Sequence, residues 1–313
     1  MKEKIEIEFE TITPIWTGDA WSENSELKAT AIMGSLRFWF EVYCHFAGIE
    51  VKEKEELDYG EFIKQRKKIE NIDKSDDEIL SDMKVTLVSR IFGCTGWKSR
   101  IEIEKISFQE DALKKNDIDF TFLHENEEND TKWWCNTTLF EKKESINTLK
   151  NIQVTFLLSE NCLNEFQKFL KFYQDKPILI GGKKAFGLGF AKLKSDQNFD
   201  HINEITIKNK DYVIWDKVEN FPSNGSILGY NIKHYLRQKE NKKFRVQNFG
   251  KMSQASEYYF SSIVDNTSYI ITFKNNHSIL NKYKKWLQDK FSTNRPNQRK
   301  SNQADLMNHF NSR

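Results

Sequence analysis

The chain of 313 residues is poor in proline (4) and glycine (13), the residues that interrupt helices and permit left-handed turns. Glycines that do cluster therefore carry more meaning than usual. Its four cysteines, Cys44, Cys94, Cys135 and Cys162, lie far apart with no CxxC pair. That spacing argues against a zinc site and gives no disulfide framework, so a reducing cytoplasm is the expected location. No uninterrupted apolar run approaches the roughly 20 residues that cross a bilayer. The opening MKEKIEIEFE reads as a strand and not as a signal peptide. No membrane partner is expected. Six histidines (His45, His124, His201, His234, His277, His309) show no HxxxH, HExxH or HD pairing. Metal catalysis has little support, and no cofactor or small-molecule substrate is expected.

What is present is apolar and unevenly charged. Hydrophobic residues make up 38% and aromatics 13%, with 24 phenylalanines, enough to build cores at a length that suits two domains. A net charge of +2 hides an asymmetry. Residues 222–313 hold 16 Lys/Arg against 5 Asp/Glu, while residues 1–221 hold 32 against 41. A basic end on an acidic remainder points to a polyanionic partner. A solvated lysine-rich surface is the competing explanation.

KIEIEFETI (4–12) alternates strictly, the pattern of a half-buried strand that Thr13-Pro14 ends. A polar loop, Trp16 to Asp19, precedes a helix expected from about Ala31 to His45 with Thr30 as N-cap, its apolar stripe Ile32, Leu36, Trp39, Tyr43 and Phe46. Residues 50–82 read as a charged helical excursion. IEIEKISF (101–108) and NIQVTFLLS (151–159) read as strands, and 110–150 as acidic and irregular. A helix (163–174), a short strand PILIGG (177–182) and FGLGFAKL (186–193) close the first unit. After a polar linker (194–211) come a strand candidate (211–218), a helix (226–238), the turn RVQNFG (245–250), a strand (268–275) and a helix (278–291). The fold class is α+β: two ferredoxin-like (RRM-like) domains, each an antiparallel sheet with helices on one face. The expected boundaries are 1–195, 211–295 and a polar tail at 296–313. Shared elements in the two halves suggest a degenerate internal duplication.

Two motifs carry chemistry. GGKKAFGLG (181–189) could form an anion-binding backbone concavity, with Gly182, Lys183 and Lys184 in contact with phosphate. It lacks the GK[ST] ending of a P-loop and the third glycine of a dinucleotide fingerprint. A purely structural turn fits it equally. KATAIMGSLRFWF (28–40) opens a helix, a natural phosphate site; Gly34 would admit a close backbone, with Lys28 and Arg37 supplying charge. For Phe38, Trp39 and Phe40, core packing is favoured. His45 or His234 could serve as general acid-base in RNA cleavage, although a lone helical histidine is more often a packing residue.

These stretches together resemble the RAMP superfamily of CRISPR-associated proteins, and more narrowly the two-domain family of the first RAMP subunit of the type III-B Cmr effector complex. The resemblance rests on FETITPIWTGDA (9–20), ELKATAIMGSLRFWFEV (26–42), SRIFG (89–93) and GGKKAFGLG (181–189). Many relatives carry more basic residues inside that glycine loop, where Ala185 and Phe186 stand here. The resemblance implies a non-catalytic, single-copy subunit near the 3′ end of a guide CRISPR RNA. It would help capture target RNA and contact other RAMP subunits. Target cutting in the family belongs to the repeated backbone subunit and its loop aspartate, which makes Asp19 a residue to inspect. The expected groove has Lys28, Arg37, Lys183 and Lys184 on one side and Lys233, Arg237 and Arg245 on the other. Trp16 or Trp21 would stack on a base. The alternatives are a RAMP endoribonuclease that processes precursor RNA and a purely structural assembly subunit.

Overall fold

A computed structural model describes residues 2–18, 24, 26–71, 73–120, 135–195, 199, 202–203, 205–209, 213–221, 227–249, 256–273 and 276–293. Strand β1 (Lys2–Thr11) turns Ile5, Ile7 and Phe9 inward and Lys4, Glu6 and Glu8 outward, as its alternation requires. It pairs antiparallel with β3 (Ser145–Ser159) on one side and β5 (Phe190–Ser195) on the other. With β2 (Ile101–Lys114) and β4 (Ile178–Leu179), the order is β2-β3-β1-β5-β4. Leaving out the short β4, this is the strand order of a ferredoxin-like sheet. Strands β2 and β3 are longer than their alternation suggested, with 109–114 pairing with 145–150. Register shifts between Ile103 and Lys105 and between Ser107 and Gln109 reset the alternation inside the expected strand 101–108, so its continuation through Lys114 is out of phase with its start.

Helix α1 (Ala29–Ala47) covers the inner face of the sheet and ends at Gly48 in a left-handed cap. It starts earlier than expected: Thr30 lies inside it, and Lys28 takes the cap position without a side-chain bond. Trp39 sits at its centre, donating Nε1–H to the Leu179 carbonyl (3.0 Å) and receiving the Tyr173 hydroxyl on its own carbonyl (2.9 Å). Helices α2 (Tyr59–Arg66), α3 (Asp76–Asp82) and α4 (Leu87–Phe92) form the excursion, around Leu57, Phe62, Ile79, Leu80 and Val85. It is fastened by the Glu55 carboxylate on Thr86 (backbone N 3.1 Å) and by Asp77, which bridges Arg90 and Arg100 (2.6 Å to Arg100). SRIFG is therefore the end of a helix. Helix α5 (Glu160–Tyr173) lies beside α1, with Phe169 against Phe40 and Tyr43.

The second sheet has the order β6-β8-β7, from β6 (Ile214–Val218), β7 (Tyr258–Phe260) and β8 (Ser268–Thr272), all antiparallel. With helices α6 (Gly229–Gln238), α7 (Lys242–Phe249) and α8 (His277–Thr293), it repeats the first unit's β-α-β-β-α order. Among the described residues it has no fourth strand. RVQNF, expected as a turn, belongs to α7, so α4 and α7 are matching short helices that each end at a phenylalanine followed in the sequence by glycine. Ile270, Tyr258 and Phe260 pack on α6 and α8. From the other face Trp215 reaches Trp39, Phe46, Phe172 and Tyr173 at 5.7–6.2 Å and donates to the Pro177 carbonyl (2.9 Å). Among the described residues the first sheet thus carries helices on one face only, while the second is covered on both, and α1 and α5 are shared between them.

Candidate functional site

The chain after β1 is organised by Asn24, which sequence reasoning passed over. Its carbonyl oxygen accepts from the Thr17 and Gly18 backbone N–H groups (2.9 and 3.3 Å) and the Thr17 hydroxyl (2.8 Å). Its amide donates to the carbonyls of Ile15 (3.4 Å) and Asn147 (3.2 Å). A buried asparagine can satisfy all these groups at once, and that holds Trp16 in place. A single Asn in a polar loop gives no sequence signal of this role.

The glycine-rich stretch closes over that tryptophan. Gly182 N–H donates to the Trp16 carbonyl (2.6 Å), and the Trp16 ring lies where a Gly182 Cβ would stand, 2.9 Å from that position. Lys183 caps the ring at 4.3 Å and donates to the Thr138 and Leu139 carbonyls (3.3 and 3.1 Å) and to Glu141 (3.1 Å). Its side chain is 10% exposed. These contacts give all three residues partners inside the chain. Trp16, Gly182 and Lys183 are committed to one another, and the ammonium already has its full set of acceptors.

The far end of the same loop meets the second sheet. Gly187 has φ 89°, and a Cβ there would lie 2.6 Å from the backbone nitrogens of Gly229 and Ser262. A Cβ on Gly229 would lie 1.9 Å from the Phe260 carbonyl oxygen. Ser262 N–H donates to the Gly187 carbonyl (3.0 Å). These two glycines are there so that two backbones can touch. The concavity expected to cradle phosphate is filled by protein.

A chain of basic side chains begins where this contact ends. The turn Lys184–Phe186 packs on α6, with Phe186 against Tyr230 (5.7 Å) and Tyr230 against His234 (5.7 Å). Lys233 follows Gly229 by one turn and Arg237 follows by another, so they share a face. Lys233 is 7% exposed. Burial, and after it the Arg237 charge, pushes its ammonium down to about 8. Burial also lowers Lys184. Among the described residues, none of the Lys184, Lys233 and Arg237 side chains has a hydrogen-bond or ion-pair partner.

On α1 the expected residues divide. Arg37 donates to the Gly93 carbonyl (2.7 Å) and pairs with Glu41 (3.2 Å), so it ties α1 to the end of α4 and is not an open cation. Gly34 faces open space, and the Lys28 side chain has no partner among the described residues. Phe38, expected in the core with Trp39 and Phe40, is 39% exposed and sits against Phe273 (5.6 Å). Arg245 lies on α7 with no side-chain partner among the described residues. His45 stands in the last turn of α1. Asp19 and Trp21 lie outside the described residues. Among the described residues no cluster of His, Cys, Asp or Glu could hold a metal ion, and no helix is long and apolar enough to cross a membrane.

A model of the RAMP superfamily matches residues 8–192, more than half of the chain. The chain belongs to the RAMP superfamily. No curated protein matches it by sequence. Solved structures similar to it include apo Cmr1 from Pyrococcus furiosus, at 14% identity with a TM-score of 0.44, covering 88% of each chain. Oligomeric Cmr4 from Pyrococcus furiosus is also similar, at 14% identity and a TM-score of 0.28, over 63% of this chain and 100% of that one. In this RAMP chain, the glycine loop serves as a joint between the two sheets. Of the cations expected to line the groove, those with no side-chain partner among the described residues are Lys28 at the start of α1, Lys184 on the joint, and Lys233, Arg237 and Arg245 beyond it.

Proposed function

We propose that this protein is a non-catalytic subunit of a type III-B CRISPR (Cmr) effector complex, binding single-stranded RNA near the 3′ end of the guide and helping to capture target RNA. Family membership supports a place among RAMP proteins, and the match of ELKATAIMGSLRFWFEV to the first Cmr subunit narrows it. The observation that carries RNA binding is the set of partnerless cations. Acids pair with Lys183, Arg90, Arg100 and Lys284, yet Lys28, Lys184, Lys233, Arg237 and Arg245 have none among the described residues. Lys28 stands at the uncapped start of a 19-residue helix with no acid in its first turn, where free N–H groups and the dipole add to its charge. Contacts of this kind grip a sugar-phosphate backbone and ignore sequence, which suits a subunit whose guide does the reading.

Reversing charge with Lys28→Glu plus Arg245→Glu should weaken binding of single-stranded RNA and flatten its salt dependence by about 0.7 per lost phosphate contact. Fluorescence anisotropy across a salt series measures both. Unchanged affinity would remove the RNA-binding reading, and failure to co-purify with other RAMP subunits would remove the assembly reading. Incubation with repeat RNA in the absence of metal tests the rival endoribonuclease: specific cleavage lost in His234→Ala or His45→Ala would replace the present reading.

A further inference from the structure

Lys233 presents a charge that the fold does not balance. An ammonium taken out of water normally has a carboxylate or several carbonyls around it. Here the residue is 7% exposed and its side chain has neither among the described residues. Its electrostatic neighbour is a second cation, Arg237, one helical turn further on. Like charges four residues apart on a helix oppose folding, so the pair makes the isolated chain less stable than an apolar pair would. Nor does the helix end contribute, because Gly187, Ser262 and the Phe260 carbonyl close over Gly229 at the start of α6.

We infer that Lys233 and Arg237 form a socket for a single phosphate group of an RNA backbone, at the joint between the two sheets. The source of the phosphate rests on the RNA-binding reading above; the anion site itself does not. An ammonium point charge beside a guanidinium fork suits a tetrahedral oxyanion, which the fork can hold through two oxygens while the lysine takes a third. A carboxylate from a protein neighbour would satisfy one such pair. The third partnerless cation, Lys184, on the turn that packs against α6, calls for an anion that repeats. Phe186 and Tyr230, on the same turn and helix as these cations, pack on one another with ring centroids 5.7 Å apart. With the socket filled, the like-charge conflict becomes a shared grip.

The test compares full-length wild type with Lys233→Met and, as a second variant that leaves the buried position intact, Arg237→Gln. Three probes are used: a 20-nucleotide single-stranded RNA, inorganic phosphate, and a polyglutamate peptide of matching charge. Wild type should bind RNA about tenfold more tightly than either variant, as expected for one charge-assisted contact, with a salt slope steeper by about 0.7. Inorganic phosphate should raise the melting temperature of wild type and leave Lys233→Met unmoved. Lys233→Met alone should melt higher than wild type, because an unbalanced buried charge is gone; a lysine that merely supported the fold would give the opposite. RNA affinity unchanged in both variants overturns the socket while leaving the RNA-binding function standing. No RNA binding by wild type overturns that function, and phosphate stabilisation then leaves only a small-anion site. Polyglutamate binding as tightly as RNA and lost in the same variants overturns the phosphate assignment in favour of an acidic protein partner.

Discussion

The glycine loop and helix α6 each hold a lysine largely withdrawn from water, and they are used in opposite ways. Lys183 is 10% exposed at its side chain and meets two carbonyls, a carboxylate and an aromatic face. Lys233 is 7% exposed and meets none of these among the described residues. A buried cation with acceptors holds a fold together, whereas one without them costs stability until something else arrives. By sequence the loop had the stronger claim to phosphate, because of its glycines and paired lysines. The proposed socket puts phosphate on helix α6 instead, at Lys233 and Arg237, which the sequence offered only as the far side of the groove.

The largest expected effect comes from the joint that separates these two regions. Gly187→Ala or Gly229→Ala would drive a methyl group into backbone atoms at 2.6 or 1.9 Å, and a loss of about 3 kcal/mol or more is expected in urea unfolding. Next comes Lys183→Met, which strands two carbonyls and Glu141 and should cost about 1–3 kcal/mol, with RNA affinity within about twofold of wild type if this lysine lies off the RNA path.

Lys233→Met should go the other way, gaining about 1–3 kcal/mol at pH 7. The gain should depend on pH. The folded ammonium titrates near 8 and an unperturbed lysine at 10.5, so between those values the unfolded chain holds the extra proton. Wild-type stability therefore climbs relative to the variant as pH rises through that window, and the difference between the two proteins shrinks. A difference constant from pH 7 to 10 would show that Lys233 is not strained by its surroundings. The smallest effect is expected from Arg37→Gln. Loss of the Gly93 and Glu41 contacts should cost about 1 kcal/mol, with RNA affinity within about twofold of wild type. A large drop in RNA affinity would return Arg37 to the interface.

Much of the architecture could be read in the residues because it rests on periodicity. The alternation of 4–12 and the stripe from Ile32 to Phe46 are consequences of burial on one side, and both appear in the structure. Strand ends were less legible where bulges reset the alternation, as at Ser107 to Gln109. The site was legible only as charge. Sequence shows that Lys183, Lys184 and Lys233 are cations; whether a cation is neutralised depends on residues far away in the chain, such as Thr138, Leu139 and Glu141 for Lys183. No local pattern reports that. The glycines misled for the same reason: positive φ and close approach are visible as a need for glycine, but the atom that approaches Gly187 comes from Gly229, more than forty residues on.

The shared helix layer sets how this protein comes apart. Because α1 and α5 lie between two sheets, the surface built from Trp39, Phe46, Phe172 and Tyr173 is finished only when Trp215 arrives from the second half. A fragment cut near residue 195 would expose that aromatic surface to water and to other copies of itself. The two halves, similar as they are in strand order, should therefore melt together in one transition.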